Sequence, residues 1–199
     1  MTYQDLINEF HKMYIDGWGY VSSTAGTLWT QEKQDKSGNP NTKKWVGHIV
    51  ADCSGAVVYA LKRYGISVYH GSNRIARVFT KELLDISKAK PGMIAFKYRK
   101  VGTEGYRLPN EYRKGGKYYN GDLNDYYHCG IIDNNMDVIN LQSVTTGCVK
   151  SKIDNNWLKC GELLNVDYGS NVDSNSDIII PYELALKLYT YLKGCFNEK

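Results

Sequence analysis

The chain has 199 residues, 42% hydrophobic and 23% charged, enough for one domain with a substantial core. Its net charge is +4, from 25 basic and 21 acidic residues with no arginine- or lysine-rich run, which argues against a nucleic-acid binder. No apolar run approaches the about 18 residues that a helical membrane span needs.

The N-terminal stretch MTYQDLINEFHKMYIDGWGY is polar and amphipathic, unlike a secretory signal. Leu6, Ile7, Phe10, Met13 and Tyr14 recur at helical spacing, predicting a helix over 3–14 with His11 on its surface. Residues 31–44, QEKQDKSGNPNTKK, read as a polar surface loop. A second helix begins near Cys53, carries Val57, Ala60, Leu61 and Tyr64 on one face, and stops at Gly65, where glycine suits a left-handed cap. A further helix is predicted across 73–84.

Lys90-Pro91-Gly92 forms a turn that launches the apolar strand MIAFKY. Residues 99–125 read as an irregular polar excursion. The stretch 88–117 holds nine basic residues against two acidic ones, a local excess of seven, read as a solvated loop. YYHCGIID and MDVINLQSV are strands joined by an Asn-Asn turn, and a third strand around GCVKSKI extends the meander. Residues 169–178 read as a linker and 180–196 as a terminal helix. Helices first and strands afterwards argue an α+β fold, an antiparallel sheet with helices on one side.

The five cysteines, Cys53, Cys129, Cys148, Cys160 and Cys195, form no CxxC pair, so no structural metal site is expected. All five are expected to be reduced, with Cys160 and Cys195 able to pair only on oxidation. Cys129 is expected to point into the core.

Cys53 follows Asp52 and precedes Ser54-Gly55 at a helix start. A helix N-terminus lowers a thiol pKa, and so does a nearby imidazole. Asp52 can cap the helix, and the unpaired N–H groups of the first turn can receive an oxyanion. As an anion, Asp52 would raise the thiol pKa if it faced the sulfur. The imidazole must come from His11, His48, His70 or His128. His128 opens a strand, two residues before a glycine that permits close approach, and a strand end facing a helix start can set ring against thiol. A third group should fix the ring. Asn140, on the return arm of the hairpin, and Gln142, two residues on along the same face, both offer an amide oxygen. Read from the residues alone, Cys53 is a nucleophile or an inert core cysteine.

Asp52-Cys53-Ser54-Gly55, the Lys90-Pro91-Gly92 turn before a strand, and His128-Cys129-Gly130-Ile131, in that order, resemble the NlpC-type cysteine peptidases of bacterial cell walls. Gly17-Trp18-Gly19-Tyr20-Val21 is similar to an aromatic segment of that family, and Asn140 stands twelve residues beyond His128, where the family has its third catalytic residue. The resemblance spans roughly residues 4–168. It implies a papain-like α+β fold, an antiparallel sheet packed against a helix carrying the nucleophilic cysteine. The peptidase domain would occupy 1–168, with insertions at about 22–50 and 99–125, and 169–199 would be a linker and C-terminal helix.

The resemblance further implies hydrolysis of amide bonds in peptidoglycan stem peptides, next to D-glutamate, with no metal or organic cofactor. Cys53 would attack, His128 carry the proton and Asn140 orient the ring. Tyr20 and the Cys53 N–H would steady the oxyanion, and Asp52, Ser54 and Gln142 would serve the substrate side. Met93 departs from the aspartate that often follows Pro-Gly in the family. Long versions look similar to bacteriophage lysis or tail proteins. That implies a chain made in the cytoplasm and delivered to the wall by phage machinery. An acyltransferase or deamidase on the same fold, and an inactive wall-binding or structural module, are the rival readings.

Overall fold

Thr2 starts the first helix: its hydroxyl accepts the Asp5 N–H at 3.2 Å while Asp5 accepts the Thr2 N–H at 2.8 Å, a reciprocal capping box. The helix, α1, runs Tyr3–Ile15 and buries Leu6, Ile7, Phe10 and Met13. The structure is a computed structural model that describes residues 1–169; the helix expected over 180–196, Cys195 and nearly all of the 169–178 linker lie outside the described residues.

His11 departs from expectation. It is 5% exposed because Asp133, at the end of a strand that packs on α1, comes within 3.7 Å of its Nε2.

Residues 22–50 also form more structure than their polarity suggests. After β1 (Gly19–Tyr20) come β2 (Ala25–Leu28), α2 (Gln31–Ser37), a 3-10 turn over Pro40–Trp45 and β3 (Ile49–Ala51). β3 pairs in parallel with β1 and antiparallel with β2, a small mixed sheet the sequence does not predict. The stretch 31–44 is on the surface as expected but helical rather than a loop, and its two buried residues, Gln34 and Thr42, tie it to Trp29 of a satellite core with Val21 and Val50. Gln34 is the hub: its side-chain oxygen accepts from Trp29 Nε1 at 3.0 Å and from Thr42 Oγ1 at 2.8 Å.

Helix α3 spans Cys53–Lys62, and Gly65 sits beyond it at φ +75°, in the left-handed region as expected. The helix predicted over 73–84 is shorter. It comprises α4 (Ser72–Arg74) and one wide π-type turn, Ile75–Phe79. Thr80 then bridges Leu163 and Lys81 N–H bonds the Glu162 carbonyl at 2.9 Å, so sheet pairing captures the chain. It continues through β4 (Leu84–Asp85), a 3-10 turn at Ile86–Lys88, and β5 (Ile94–Arg99).

The excursion after β5 is irregular as expected, with one 3-10 turn at Asn110–Tyr112. Arg77 tethers it, donating to the Asn124 carbonyl at 2.7 Å and to Asp122 at 2.9 Å.

The meander follows as β6 (Asp125–Ile132), β7 (Asp137–Ser143) and β8 (Gly147–Lys152), and β9 (Lys159–Gly161) completes a six-stranded sheet ordered β4-β9-β5-β6-β7-β8. Every pairing in it is antiparallel. One face, with Ile94, Phe96, Cys129, Ile131, Ile139 and Leu141, packs on α1 and α3. The other buries Met93, Ala95, Ile132, Val138, Trp157 and Cys160. Met93 thus fills an apolar layer. Met1–Tyr168 pack as one unit, and among the described residues no helix is long and apolar enough to cross a membrane.

Candidate active site

Asp52 sets the position of Cys53. It is the N-cap of α3, in extended conformation, and its Oδ1 accepts the Gly55 N–H at 2.8 Å. The same oxygen takes the Ser54 hydroxyl at 2.9 Å and His70 Nε2 at 2.7 Å, while Oδ2 takes the Ser23 N–H at 2.7 Å. Burial pushes the carboxyl pKa up, and the hydrogen bonds from His70, Gly55 and Ser23 outweigh it, so the group lies below its ordinary range. Ser54 in turn accepts the Gly71 N–H at 3.2 Å. Asp52 and Ser54, expected to serve the substrate side, are therefore turned inward. They lock the helix start to the Ser23 and His70–Gly71 segments. Gly55 makes the fit possible, since a Cβ there would stand 1.9 Å from the Thr24 carbonyl oxygen.

Cys53 is 6% exposed. Its thiol lies 3.5 Å from Ser72 Oγ, and Cys129 and His128 both act on its ionisation. Together they hold the thiol well below its ordinary pKa: Cys129 counts most, burial opposes it, and His128 adds to the lowering. Asp52 raises it only weakly, as its oxygens are engaged elsewhere.

His128 sits opposite Lys97 in the β5–β6 ladder, beside the register slip between Lys97 and Tyr98. Its Nε2 lies 2.8 Å from Asn140 Oδ1. That oxygen only accepts, so Nε2 carries the hydrogen and Nδ1 is left for the thiol. Burial lowers the imidazole pKa, but the hydrogen bond and charge of Cys53, with the bond to Asn140, raise it above its ordinary value. A lowered thiol facing a raised imidazole is the signature of a thiolate–imidazolium pair. Trp157 packs on the ring at 5.6 Å between centroids, and Lys97 Nζ lies 4.5 Å from the Trp157 ring centre.

Of the other expected residues, Tyr20 stands beside this pair. Burial first, then the charges of Cys53 and Asp52, push its phenol pKa up, so it stays protonated as a donor. Gln142 does not join the site. The β7–β8 register slips between Leu141 and Ser143, which carries Gln142 out to solvent, and Asn140 holds the ring.

The four histidines separate cleanly. His48 is exposed against Trp45, His11 is buried on Asp133, and His70 serves Asp52. The bond and charge of Asp52 raise the His70 pKa against burial. Sequence reasoning missed Ser72, the effect of Cys129 on the Cys53 thiol, and the Trp157 and Lys97 flank. Among the described residues no cluster of three or more His, Cys, Asp or Glu side chains is placed to hold a metal.

Neither a scan against protein-family models nor a search of curated proteins gave a match. Solved structures do share the fold. RipA, a resuscitation-promoting-factor-interacting protein, gives a TM-score of 0.51 at 14% identity, over 83% of this chain and 62% of that one. RipD from Mycobacterium tuberculosis is a non-catalytic NlpC/p60 domain protein adapted to peptidoglycan binding. It gives 0.50 at 11% identity, over 81% of this chain and 97% of its own. The peptidoglycan hydrolase RipB, also from Mycobacterium tuberculosis, gives 0.48 at 14% identity and 80% coverage of this chain. The chain spans 65% of the length of RipB. The fold is thus the papain-like α+β fold of NlpC/p60 domains.

Proposed function

We propose that this chain is a cell-wall hydrolase that cleaves amide bonds in peptidoglycan stem peptides through a Cys53 thiolate. The observation that carries the reading is the His128–Asn140 hydrogen bond at 2.8 Å, on an imidazole that lowers the pKa of the Cys53 thiol at the start of helix α3.

In the proposed cycle the Cys53 thiolate attacks the scissile carbonyl carbon. The Cys53 N–H belongs to the first turn of α3, whose cap takes the Gly55 N–H and whose Asp52 carbonyl takes that of Ala56. It is therefore the donor placed for the oxyanion, with the protonated Tyr20 hydroxyl beside it. His128 delivers its Nδ1 proton to the leaving amine, and the acyl group stays on Cys53. The neutral ring then takes a proton from water, whose oxygen attacks the thioester carbonyl. The new acid departs and the ion pair returns. Asn140 keeps the ring from rotating throughout.

RipD bears the same fold without catalysis, so wall binding alone is the second reading. The intact thiol–imidazole–amide series favours catalysis over it. Digestion of defined muropeptides decides: wild-type protein is expected to release new amino groups and fragments whose masses sum to that of the substrate plus one water, and Cys53→Ala none. Equal release by Cys53→Ala, or sacculus binding without release by wild type, overturns the hydrolytic reading. An adduct in place of free ends points to acyl transfer.

A further inference from the structure

Lys97 stands directly opposite His128 in the β5–β6 ladder, so the two side chains leave the same face of the sheet with their Cβ atoms about 5 Å apart. One indole serves both. The Lys97 ammonium lies 4.5 Å from the centre of the Trp157 ring, and that ring packs on the His128 imidazole at 5.6 Å. Trp157 is buried and makes a fixed mount, while Lys97 is only half-buried. Arg99 repeats the arrangement: its guanidinium lies 3.8 Å from the centre of the Tyr127 ring, which is 6.5 Å from that of His128. Two cations therefore flank the base, each carried by an aromatic ring that neighbours it.

The protein does not balance these charges. Arg74, Arg77 and Lys81 meet carboxylates at 3.3, 2.9 and 3.1 Å, whereas among the described residues Lys97 and Arg99 form no ion pair. Asp154, an acid that feels the Lys97 charge, is engaged by the Asn156 N–H at 2.9 Å and by its side-chain amide at 3.1 Å. The arrangement works against catalysis in the empty site, because the Lys97 charge opposes protonation of His128. A bound anion cancels that opposition.

We propose that Lys97 is the specificity-determining cation of the site, and that with Arg99 beside it Lys97 takes a free carboxylate on the substrate residue that supplies the leaving amine. The proposal rests on the hydrolytic reading for the direction in which the peptide lies. A base that protonates the leaving nitrogen must stand within hydrogen-bond reach of it. A cation on the base's own face therefore covers the leaving-group residue, while the acyl residue is held at the start of α3. The carboxylate accepts from the ammonium, a charge-assisted bond that a half-buried setting strengthens. The substrate class is accordingly an acidic peptide, ionised at that residue rather than amidated.

The test uses two synthetic stem peptides that differ only in a free carboxylate or a carboxamide on the residue supplying the leaving amine. Calorimetry on the full chain carrying Cys53→Ala keeps the peptides whole, so the result does not depend on turnover. The carboxylate peptide is expected to bind roughly 10- to 100-fold more tightly, as hydrogen bonds to charged groups allow, and the preference should weaken with salt. Adding Lys97→Gln should abolish the preference, and adding Lys97→Arg should keep most of it. Equal or undetectable binding of the two peptides, or a preference that survives Lys97→Gln, overturns the proposal. Failure of the wild-type chain to cleave either peptide while the preference stands overturns the hydrolytic reading and leaves the carboxylate recognition in place.

Discussion

The Nε2–H of His128 donates to Asn140 Oδ1 at 2.8 Å, between neighbouring antiparallel strands. Both residues are almost wholly buried, so nothing else in the vicinity replaces the bond once it is lost. In Asn140→Ala the ring N–H is left unsatisfied, at a cost of about 1–3 kcal/mol. The cleavage rate on muropeptides should fall roughly 10- to 100-fold. Asn140→Asp should instead raise the His128 pKa further and move the falling limb of the pH–rate profile to higher pH.

The proposed thiolate–imidazolium pair would set a pH profile. Cys53 lies below the ordinary thiol range and His128 above the ordinary imidazole range. The ion pair therefore persists between the two, and activity should rise with Cys53 ionisation and fall as His128 deprotonates. Iodoacetamide at about pH 6 should label Cys53 ahead of Cys148 and Cys160, as ordinary thiols titrate near 8.5. His128→Ala leaves burial less opposed, so labelling at that pH should drop about tenfold or more, measured by peptide mass. Equal labelling in the variant would remove His128 as the partner.

Gly130 lets β7 come close enough for Asn140 to reach the ring. A Cβ there would stand 2.7 Å from both Asn140 Cβ and Val138 Cγ1, and 2.9 Å from the Ile139 carbonyl oxygen. Gly130→Ala should therefore cost about 1–3 kcal/mol, as overpacking does, and depress kcat with little effect on KM. Denaturant melts and steady-state kinetics read the two effects separately.

Asp52 binds four donors, and only one of them is the helix cap. Asp52→Ala should destabilise the fold by about 2 kcal/mol, lowering Tm by roughly 4–8 °C. Asp52→Asn keeps an acceptor for the Gly55 N–H and should lose less. Calorimetry of both variants separates the cap from the His70 ion pair.

His11 predicts acid sensitivity. Burial, against the pull of Asp133, lowers its pKa from 6.5 to about 4. Between these values the unfolded chain binds more protons than the folded one, so stability rises with pH. This contribution is fully present above about 6.5 and is lost as pH falls toward 4, amounting to about 3 kcal/mol. His70 and His128, with raised values, act in the opposite sense at higher pH. Urea unfolding of His11→Gln should therefore show a flatter dependence than wild type across pH 4 to 6.5, and an unchanged slope would refute the assignment.

Much of the architecture was legible because it follows local rules. The amphipathic period of 3–14, the Asp-Cys-Ser-Gly helix start, the glycine stop at Gly65 and the meander with its Asn-Asn turn all took the predicted form. Residues 31–44 misled because a run of polar side chains does not show that Gln34 will accept from Trp29 and Thr42 and so fold the run into helical turns. His11 misled because the group that buries it, Asp133, is remote in sequence. Gln142 misled because strand alternation holds only while the register does, and the ladder slips at that residue.

The sequence by itself determined which groups could react: a cysteine at a helix start, a histidine on a strand, which proves to begin three residues earlier at Asp125 rather than at His128, and an amide twelve residues on. These rest on caps, periodicity and alternation, all set within a few residues. Only the tertiary structure decided which histidine acts on the sulfur, which amide holds its ring, and that Asp52 and Ser54 face inward. Those outcomes depend on register slips and on contacts between segments far apart in the chain. Side-chain reach across such contacts is set by how the sheet closes on the helices, which no local pattern encodes.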